Sequence, residues 1–326
     1  MPEAATLRAA VAAVATAEGA PDVRGAAAAV AEAGGDSVRF LLFFGSRKTG
    51  ARPDAASAYD FFVVVDGYRA FYRAARAKGI LKRRARLASA LNLVLPPNQV
   101  AVPLVLADGT AARAKCAVVR ADHFARDTSW RRRDHFSLGR LFQPAAVAWC
   151  AGPPAREEAL DALERCAALT LRWSRPWLPR RFGVEEYCRT LLRVSFAAEI
   201  RPEPEGRAEA LWRAQEADLR AVYGVLLREA AAAGALRESG PALYALPQPA
   251  STGERLRLWL YFRWSLVRAT ARWLKHVVTF EGWLDFIVRK ARRHSGQDIV
   301  LSEREKRMPL IFLWPRLIQY LRHKDK

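Results

Sequence analysis

Two stretches of sequence decide the predicted fold: VRFLLFFGSR at residues 38–47 and YDFFVVVD at residues 59–66. Each contains a short, almost uninterrupted apolar run, which is typical of a buried β-strand. Gly45-Ser46 forms a tight turn after the first run, and the polar segment 48–57 returns the chain so that Asp60 lies on a neighbouring strand. The pattern therefore predicts that a small-residue turn and a carboxylate meet at one edge of a sheet.

This turn has the parts of a phosphate-binding site. Gly45 lets a phosphate approach the backbone closely, and the free amides of the turn, with the Ser46 hydroxyl, can hold a triphosphate. Asp60 can coordinate Mg²⁺ against the same phosphates. Asp66 is too far away to share that ion, because six residues of strand span about 20 Å; we expect it to be the N-cap of a helix at residues 67–77. An ordinary turn beside a strand-edge aspartate is the alternative interpretation.

The arrangement resembles the polymerase-β-like nucleotidyltransferase superfamily. In that superfamily a Gly-Ser turn is followed, after a loop, by two carboxylates that are separated by one residue. This chain has Ala58 and Asp60 at the two positions, so one of the usual metal ligands is absent. The resemblance implies a Mg²⁺-dependent nucleotidyltransferase whose metal ligand is Asp60.

The composition limits the class of protein. The chain has 326 residues, of which 51% are hydrophobic, and a formal net charge of +20. These values predict about two domains with sizeable cores and an anionic partner or surface. We expect neither a signal peptide nor a membrane-spanning segment. Reduced thiols in a cytoplasmic protein are expected from four cysteines without CxxC spacing: Cys116, Cys150, Cys166 and Cys188.

The predicted fold class is α+β, with three regions along the chain. Residues 1–125 form a small mixed-sheet nucleotidyltransferase domain, in which Asp108-Gly109 is a strong hairpin signal between two strand-like runs. Residues 126–250 form a mainly helical or winged-helix domain, and residues 251–326 form a basic helical C-terminal region. Within these regions we expect helices at about 80–91, 184–197 and 207–233 and a proline-rich linker at 241–251.

The C-terminal region 251–326 combines basic and aromatic residues. It carries 17 Lys/Arg against 7 Asp/Glu and five of the ten tryptophans: Trp259, Trp264, Trp273, Trp283 and Trp314. This mixture suits the headgroup layer of an anionic membrane, where each cation near the surface adds about 1 kcal/mol. The alternative is a basic helical subdomain whose tryptophans lie in a core.

Several short motifs between residue 38 and about residue 230 follow one another in an order that a known family shares. They are Phe44-Gly45-Ser46, Asp60-Phe61, Lys115, Gly139-Arg140-Leu141, Ser195-Phe196 and Glu199-Ile200-Arg201. In these motifs the chain resembles the mitochondrial-type phosphatidate cytidylyltransferases, the CDP-diacylglycerol synthases of translocator assembly and maintenance. The chain departs from the family pattern at Arg47 and after Lys115, and the family itself lacks the first carboxylate of the superfamily pair.

The resemblance implies a peripheral enzyme that transfers CMP from CTP to phosphatidic acid, giving CDP-diacylglycerol and pyrophosphate. Its expected partners are CTP, phosphatidic acid and the anionic cytoplasmic face of the cell membrane, with no stable nucleic-acid partner. A lipid phosphate is already ionised and needs no general base, so we expect His123 and His135 to be surface or helix-cap residues. The expected site residues are Asp60 for Mg²⁺ and, with Lys115, for catalysis; Gly45, Ser46 and Arg47 for the nucleotide; and Arg140 and Arg201 for the lipid phosphate.

Two alternatives stay open from the residues alone. In the first, the same enzyme class acts on RNA, a protein hydroxyl or a small molecule, because a basic surface suits RNA equally well. In the second, the fold has lost metal binding and serves as a binding module, which Ala58 favours. Preference for CTP over ATP separates the lipid enzyme from the first alternative, and a requirement for Asp60 separates it from the second.

Overall fold

The computed structural model describes residues 5–16, 22–49, 58–197 and 206–279, together with Ser302 and Arg304. The chain forms two compact units, Met1–Arg272 and Trp273–Lys326. The domain boundary predicted at 125/126 lies inside the first unit, whose sheet takes strands from both sides of that point.

A five-stranded mixed sheet forms the centre of the first unit. Its strands are β1 (Val38–Phe44), β2 (Tyr59–Val65), β3 (Asn98–Val105), β4 (Ala111–Arg120) and β5 (Ala146–Cys150). They lie in the spatial order β3-β4-β2-β1-β5. β2 and β4 run parallel, whereas every other neighbouring pair is antiparallel. This mixed sheet with its flanking helices confirms the predicted α+β class.

The predicted hairpin between β3 and β4 is also confirmed. The two strands pair antiparallel along their length, and Gly109 in the turn has φ +80°. Such a left-handed conformation favours glycine. The Thr110 amide donates a hydrogen bond of 2.9 Å to Asp108 Oδ1, so the Asp-Gly pair fixes the turn through both residues.

Helices cover both faces of the sheet. In chain order they are α1 (Leu7–Thr16), α2 (Val23–Gly34), α3 (Ser46–Thr49), α4 (Tyr68–Ala77), α5 (Ala85–Val94), α6 (Ala121–Asp127), α7 (Leu138–Leu141), α8 (Pro153–Ala168), α9 (Thr170–Ser174), α10 (Val184–Ala197), α11 (Arg207–Ala232) and α12 (Thr252–Thr279). The helices predicted at 184–197 and 207–233 are confirmed as α10 and α11. A second, two-stranded sheet pairs β6 (Arg237–Gly240) with β7 (Leu243–Ala245).

Successive side chains of β2 point to opposite faces of the sheet, so each face has its own apolar core. Phe62 and Val64 point to one face, where α1, α8, α10 and α11 pack. We call this the Asp60 face, because Asp60 has the same parity. Phe61 and Val63 point to the opposite face, which α2, α4 and α5 cover. Both faces are buried, and this explains why the strand is an almost continuous apolar run.

Three local predictions are wrong because other contacts override the local signal. Asp66 does not cap α4; its carboxylate pairs with Arg39 (Oδ1 to Nη1, 2.8 Å). The helix predicted from residue 80 begins at 85, because the amides of residues 80 and 81 bond back to the Ala75 carbonyl. The segment 241–251 is not a free linker. It contains β7, whose buried Tyr244 exchanges two backbone hydrogen bonds with Phe182.

Candidate active site

The turn after β1 and the carboxylate on β2 lie in direct contact. Phe44 pairs with Asp60 in the antiparallel β1–β2 ladder, which brings the carboxylate back to the turn. Gly45 has φ +86°, and a Cβ at this position would lie 2.7 Å from Asp60 Oδ2. Only glycine fits both the backbone conformation and the close approach of the carboxylate. The predicted meeting of turn and carboxylate is present in the structure.

The chain continues from Gly45 as the short helix α3, and residues 50–57 of the predicted polar segment lie outside the described residues. The amides of Lys48 and Thr49 donate to the Gly45 carbonyl at 3.0 and 3.1 Å. The Lys48 side chain is buried, with Nζ 3.6 Å from Asp218 Oδ2 on α11. Sequence reasoning missed this lysine, since its burial depends on a helix far along the chain. It adds a cation next to the Gly45 turn.

Lys115 lies beside Asp60. The parallel β2–β4 register pairs the two residues directly, so their side chains project to the same face. Both are half-buried. Burial, and secondarily the charge of Asp60, raise the pKa of the neighbouring Cys116 thiol, which therefore stays protonated and unreactive. The expected acid and cation pair is thus formed from two adjacent strands.

Arg47, the third residue expected to bind the nucleotide, packs on an aromatic ring. Its guanidinium carbon lies 4.5 Å from the centroid of the Tyr59 ring. Tyr59 belongs to the core of the opposite face.

Two aromatic rings, Phe136 and Phe62, connect Arg140 to the Asp60 face. Its guanidinium carbon is 3.9 Å from the centroid of Phe136, and its Nη1 donates to the Phe136 carbonyl at 2.9 Å. Phe136 packs edge-on against Phe62, with ring centroids 6.0 Å apart, and Phe62 is two residues along β2 from Asp60. Arg201, the other residue expected to bind the lipid phosphate, lies outside the described residues.

Two of the separated motifs contact each other. Ser195 Oγ on α10 donates to the Gly139 carbonyl at 3.2 Å. A Cβ at Gly139 would lie 2.8 Å from Ser195 Oγ and 2.9 Å from His135 Cδ2. Gly139 is therefore needed so that α7, which carries Arg140, can pack closely on α10. This contact supports the position of Arg140.

The histidine prediction is wrong, because both histidines are buried. Burial lowers the pKa of His123 to about 4 and that of His135 to about 3. His123 Nδ1 lies 2.9 Å from the Tyr68 hydroxyl, and the His135 amide donates to Ser265 Oγ on α12 at 3.0 Å. Both rings are neutral packing residues at pH 7. Their burial depends on contacts between distant segments, which no local pattern reports.

The helix α12 has two different sides. Leu258, Ser265 and Arg272 are buried. On the outer side an apolar stripe at helical spacing is exposed: Leu256, Trp259 (51%), Leu260, Trp264 (55%) and Val267. Trp259 and Trp264 therefore do not lie in a core; the side chain of Trp273, and Trp283 and Trp314, lie outside the described residues. No helix among residues 5–16, 22–49, 58–197 and 206–279 combines the length and apolar character needed to cross a membrane.

Asp60 is the carboxylate that contacts the Gly45 turn. Within the described part of the chain, no three His, Cys, Asp or Glu side chains form a group that could hold a metal ion. Asp60 fits Mg²⁺ as one oxygen ligand that would share the ion with bound phosphates, the usual arrangement for this ion in nucleotide enzymes. The glycine that leaves room for the carboxylate supports this fit. No model of a known protein family and no curated protein matches this chain.

Proposed function

We propose that this protein is a phosphatidate cytidylyltransferase, which transfers CMP from CTP to phosphatidic acid and releases pyrophosphate. The observation that carries the proposal is the contact between Asp60 and the Gly45 turn, with Lys115 beside it. A carboxylate, a cation and a small-residue turn at one sheet edge are the parts that nucleotidyl transfer requires. The resemblance to the cytidylyltransferase family supports the choice of CTP and of a lipid acceptor.

The proposed reaction is an in-line displacement at the α-phosphorus of CTP. An oxygen of the lipid phosphate forms the new P–O bond, and the bond from the α-phosphorus to the bridging oxygen breaks, so that pyrophosphate leaves. The Gly45 turn and Ser46 hold the outer phosphates, Lys115 neutralises developing charge, and Arg140 holds the lipid phosphate. When bound at Asp60, Mg²⁺ supplies further charge neutralisation. The residues mainly position and neutralise.

Membrane contact is part of the proposal. The exposed apolar stripe of α12 (Leu256, Trp259, Leu260, Trp264 and Val267) is the type of surface that adsorbs to the headgroup layer. The formal net charge of +20 favours an anionic leaflet. We therefore propose a peripheral protein on the cytoplasmic face of the cell membrane, with no stable nucleic-acid partner.

One assay tests substrate, acceptor and membrane together. Purified protein is incubated with Mg²⁺, labelled CTP and vesicles with or without phosphatidic acid, and the lipid fraction is analysed. We expect CDP-diacylglycerol only when phosphatidic acid is present, and none with the D60N variant. Failure to form the lipid product with both substrates present would reject the proposal. ATP preference in a thermal-shift screen would instead favour transfer to RNA, a protein or a small molecule.

Ala58 supports a second candidate, a nucleotidyltransferase fold that binds nucleotide without turning it over. The residue stands where the superfamily keeps its first carboxylate. This candidate predicts that CTP binds equally well with and without Mg²⁺ and that D60N behaves like the wild type. Equilibrium binding of CTP with and without EDTA separates it from the enzyme.

A further inference from the structure

Phe136 is contacted by two guanidinium groups. Arg140 approaches from α7, with its Cζ 3.9 Å from the ring centroid, and Arg272 approaches from α12, with its Cζ 4.7 Å from the same centroid. A ring that contacts two cations fixes both of them through its negative faces. Arg272 thus shares the aromatic support of Arg140 on the Asp60 face, although the two residues are far apart in sequence.

Arg272 is buried, and two of its three guanidinium nitrogens make no hydrogen bond within the described residues. The residue is 3% exposed, and its Nη1 donates to Asp134 Oδ2 at 2.7 Å and to the Pro96 carbonyl at 3.2 Å. Its Nε and Nη2 atoms are also buried, and neither has a hydrogen-bond partner within the part of the chain that the structure describes. Buried polar groups in proteins are nearly always paired, so this pair of donors needs an explanation.

The two unpaired donors form one edge of the guanidinium. Nε–H and one Nη2–H point in parallel, and this edge is a fork that can bind two oxygens of a phosphate at once. Asp134 binds the other end of the group and also accepts from Arg268 Nε at 2.7 Å. One carboxylate therefore accepts hydrogen bonds from two guanidinium groups.

We propose that the Nε–Nη2 edge of Arg272 binds the phosphate of phosphatidic acid together with Arg140. The inference rests on the proposed function and adds to it a residue that no sequence motif indicated. Phe136, which supports both cations, packs edge-on against Phe62, two residues along β2 from Asp60. A phosphate held there lies on the face on which the nucleotide phosphates are expected.

The proposal gives α12 two functions. Its outer side carries the exposed stripe from Leu256 to Val267, and Arg272 projects from its buried side. Arg268, Ser265 and Tyr261 fix this helix through Asp134, the His135 amide and Arg132. The helix that contacts the bilayer would then itself supply a ligand to the headgroup that enters the site, which ties lipid recognition to membrane contact.

Binding experiments test the proposal without turnover. Dioctanoyl phosphatidic acid and CTP are titrated separately, by calorimetry, into wild type, R272K and R268K. Lysine keeps the charge but lacks the fork, so R272K should bind the short lipid about tenfold more weakly, with CTP affinity unchanged. R268K is the matched control on the same helix and the same carboxylate, and it should lose less than about threefold. Dioctanoylglycerol, which lacks the phosphate, should not bind here.

The outcomes separate this proposal from the proposed function. Equal lipid binding by R272K and wild type overturns the inference while leaving cytidylyl transfer intact. A loss of CTP affinity instead of lipid affinity also overturns it, because the edge would then serve the triphosphate. Lipid binding that depends on Arg272 in a protein that makes no CDP-diacylglycerol would support the site and reject the enzyme.

Stability is measured first, because Arg272 is buried. Binding is compared at a temperature at which circular dichroism shows all variants folded. If R272K does not fold, hydrogen exchange of arginine Nε–H groups in the wild-type protein replaces it, with the signals assigned by through-bond correlation to the backbone. Dioctanoyl phosphatidic acid should slow exchange at Arg272 by about tenfold, and CTP should not. Unchanged exchange at Arg272 contradicts the proposal.

Discussion

The two faces of the central sheet differ at the end of β2 that lies next to the Gly45 turn. On the opposite face Tyr59, Phe61 and Val63 are all buried, and the apolar packing runs to the end of β2. On the Asp60 face Phe62 is buried in the same way, but the next position towards the turn is the half-buried Asp60. The candidate site occupies the one place on this strand where packing gives way to a carboxylate.

The buried polar groups of the two faces differ as well. On the opposite face they are neutral and their donors are paired: the Asn92 and Asn98 side-chain amide nitrogens donate to the Tyr72 hydroxyl at 2.9 and 2.8 Å. Near Phe136 on the Asp60 face they are charged, and Arg272 has donors without a partner among the described residues. A neutral, paired network stabilises a core. Charged and partly unpaired groups are typical of a site that awaits a ligand.

The largest expected effect comes from D60N, which should lower CMP transfer by about 10³-fold. The amide keeps the shape of the carboxylate but loses the charge that holds the metal. Stability should stay within about 1 kcal/mol of the wild type, because the group is half-buried and close to solvent. CDP-diacylglycerol formation and urea unfolding measure the two effects. Activity within about threefold of the wild type would mean that transfer does not depend on a metal held by Asp60.

The neighbouring substitution, F61A, should have the reverse effect. The Phe61 ring is fully buried on the opposite face, 5.4 Å from Phe43, so its removal leaves a cavity. We expect a loss of about 3–5 kcal/mol in the free energy of unfolding, with activity per folded molecule preserved. A loss below about 1 kcal/mol would mean that the opposite face is not tightly packed around Phe61.

The third prediction concerns G45A. An alanine Cβ would lie 2.7 Å from Asp60 Oδ2 and must also adopt φ +86°, so the carboxylate has to move. We expect about 10²-fold lower transfer and a stability loss of about 1–2 kcal/mol. G109A is the matched control, because Gly109 has φ +80° and a Cβ there would meet no atom of the described residues within 4 Å. It should lose similar stability but keep full activity; equal activity losses would remove the special role of the Gly45–Asp60 contact.

The buried charges predict how stability depends on pH. Burial lowers the pKa of His123 to about 4 and that of His135 to about 3. The unfolded chain therefore takes up these protons first, and stability present above pH 6.5 is lost as pH falls. Burial raises the pKa of Asp127 to about 6, so the folded state takes up this proton first, and that group stabilises as pH falls towards 4.

Because two histidines oppose one aspartate, urea unfolding should show a net loss of about 2 kcal/mol between pH 7 and pH 5. D127N removes the opposing group, so its stability should fall more steeply over the same range. A pH profile of D127N that is parallel to that of the wild type would mean that folding does not raise the pKa of Asp127. F61A should lower the free energy of unfolding by the same amount at every pH and leave its slope against pH unchanged, since the opposite face carries neutral groups.

Sequence patterns predicted the parts of the fold that depend on local signals. β1 and β2 were predictable because burial on both faces makes them continuous apolar runs, and their short connection placed Asp60 beside Gly45. The unpaired edge of Arg272 was not predictable, since it depends on contacts with Asp134 and Pro96 across more than a third of the chain. Asp66 has a local sequence signal for a helix N-cap, but its carboxylate forms an ion pair with Arg39 instead. The local signal therefore led to a wrong prediction.

Charge alone does not distinguish the two sides of the molecule. The opposite side carries a groove on α4 and α5 whose lining includes five exposed arginines: Arg69, Arg73, Arg76, Arg84 and Arg86. The outer surface of α12 instead combines fewer cations with the exposed apolar stripe. Adsorption to a bilayer needs both apolar burial and attraction to anionic lipid. We therefore expect the protein to contact the membrane with its α12 side.

The smallest expected effect tests this choice with matched leucines. Leu260 on α12 is 53% exposed and Leu87 on α5 is 47% exposed, so L260E and L87E make the same chemical change on different sides. L260E should weaken binding to phosphatidylglycerol vesicles about fivefold, because it removes apolar contact and adds repulsion, whereas L87E should stay within about twofold. Vesicles free of phosphatidic acid exclude any effect of the active site, and sedimentation measures the bound fraction. If L87E weakens binding as much as L260E, the side that carries the arginine groove also binds the membrane. The Asp60 face would then not be the one side that contacts lipid.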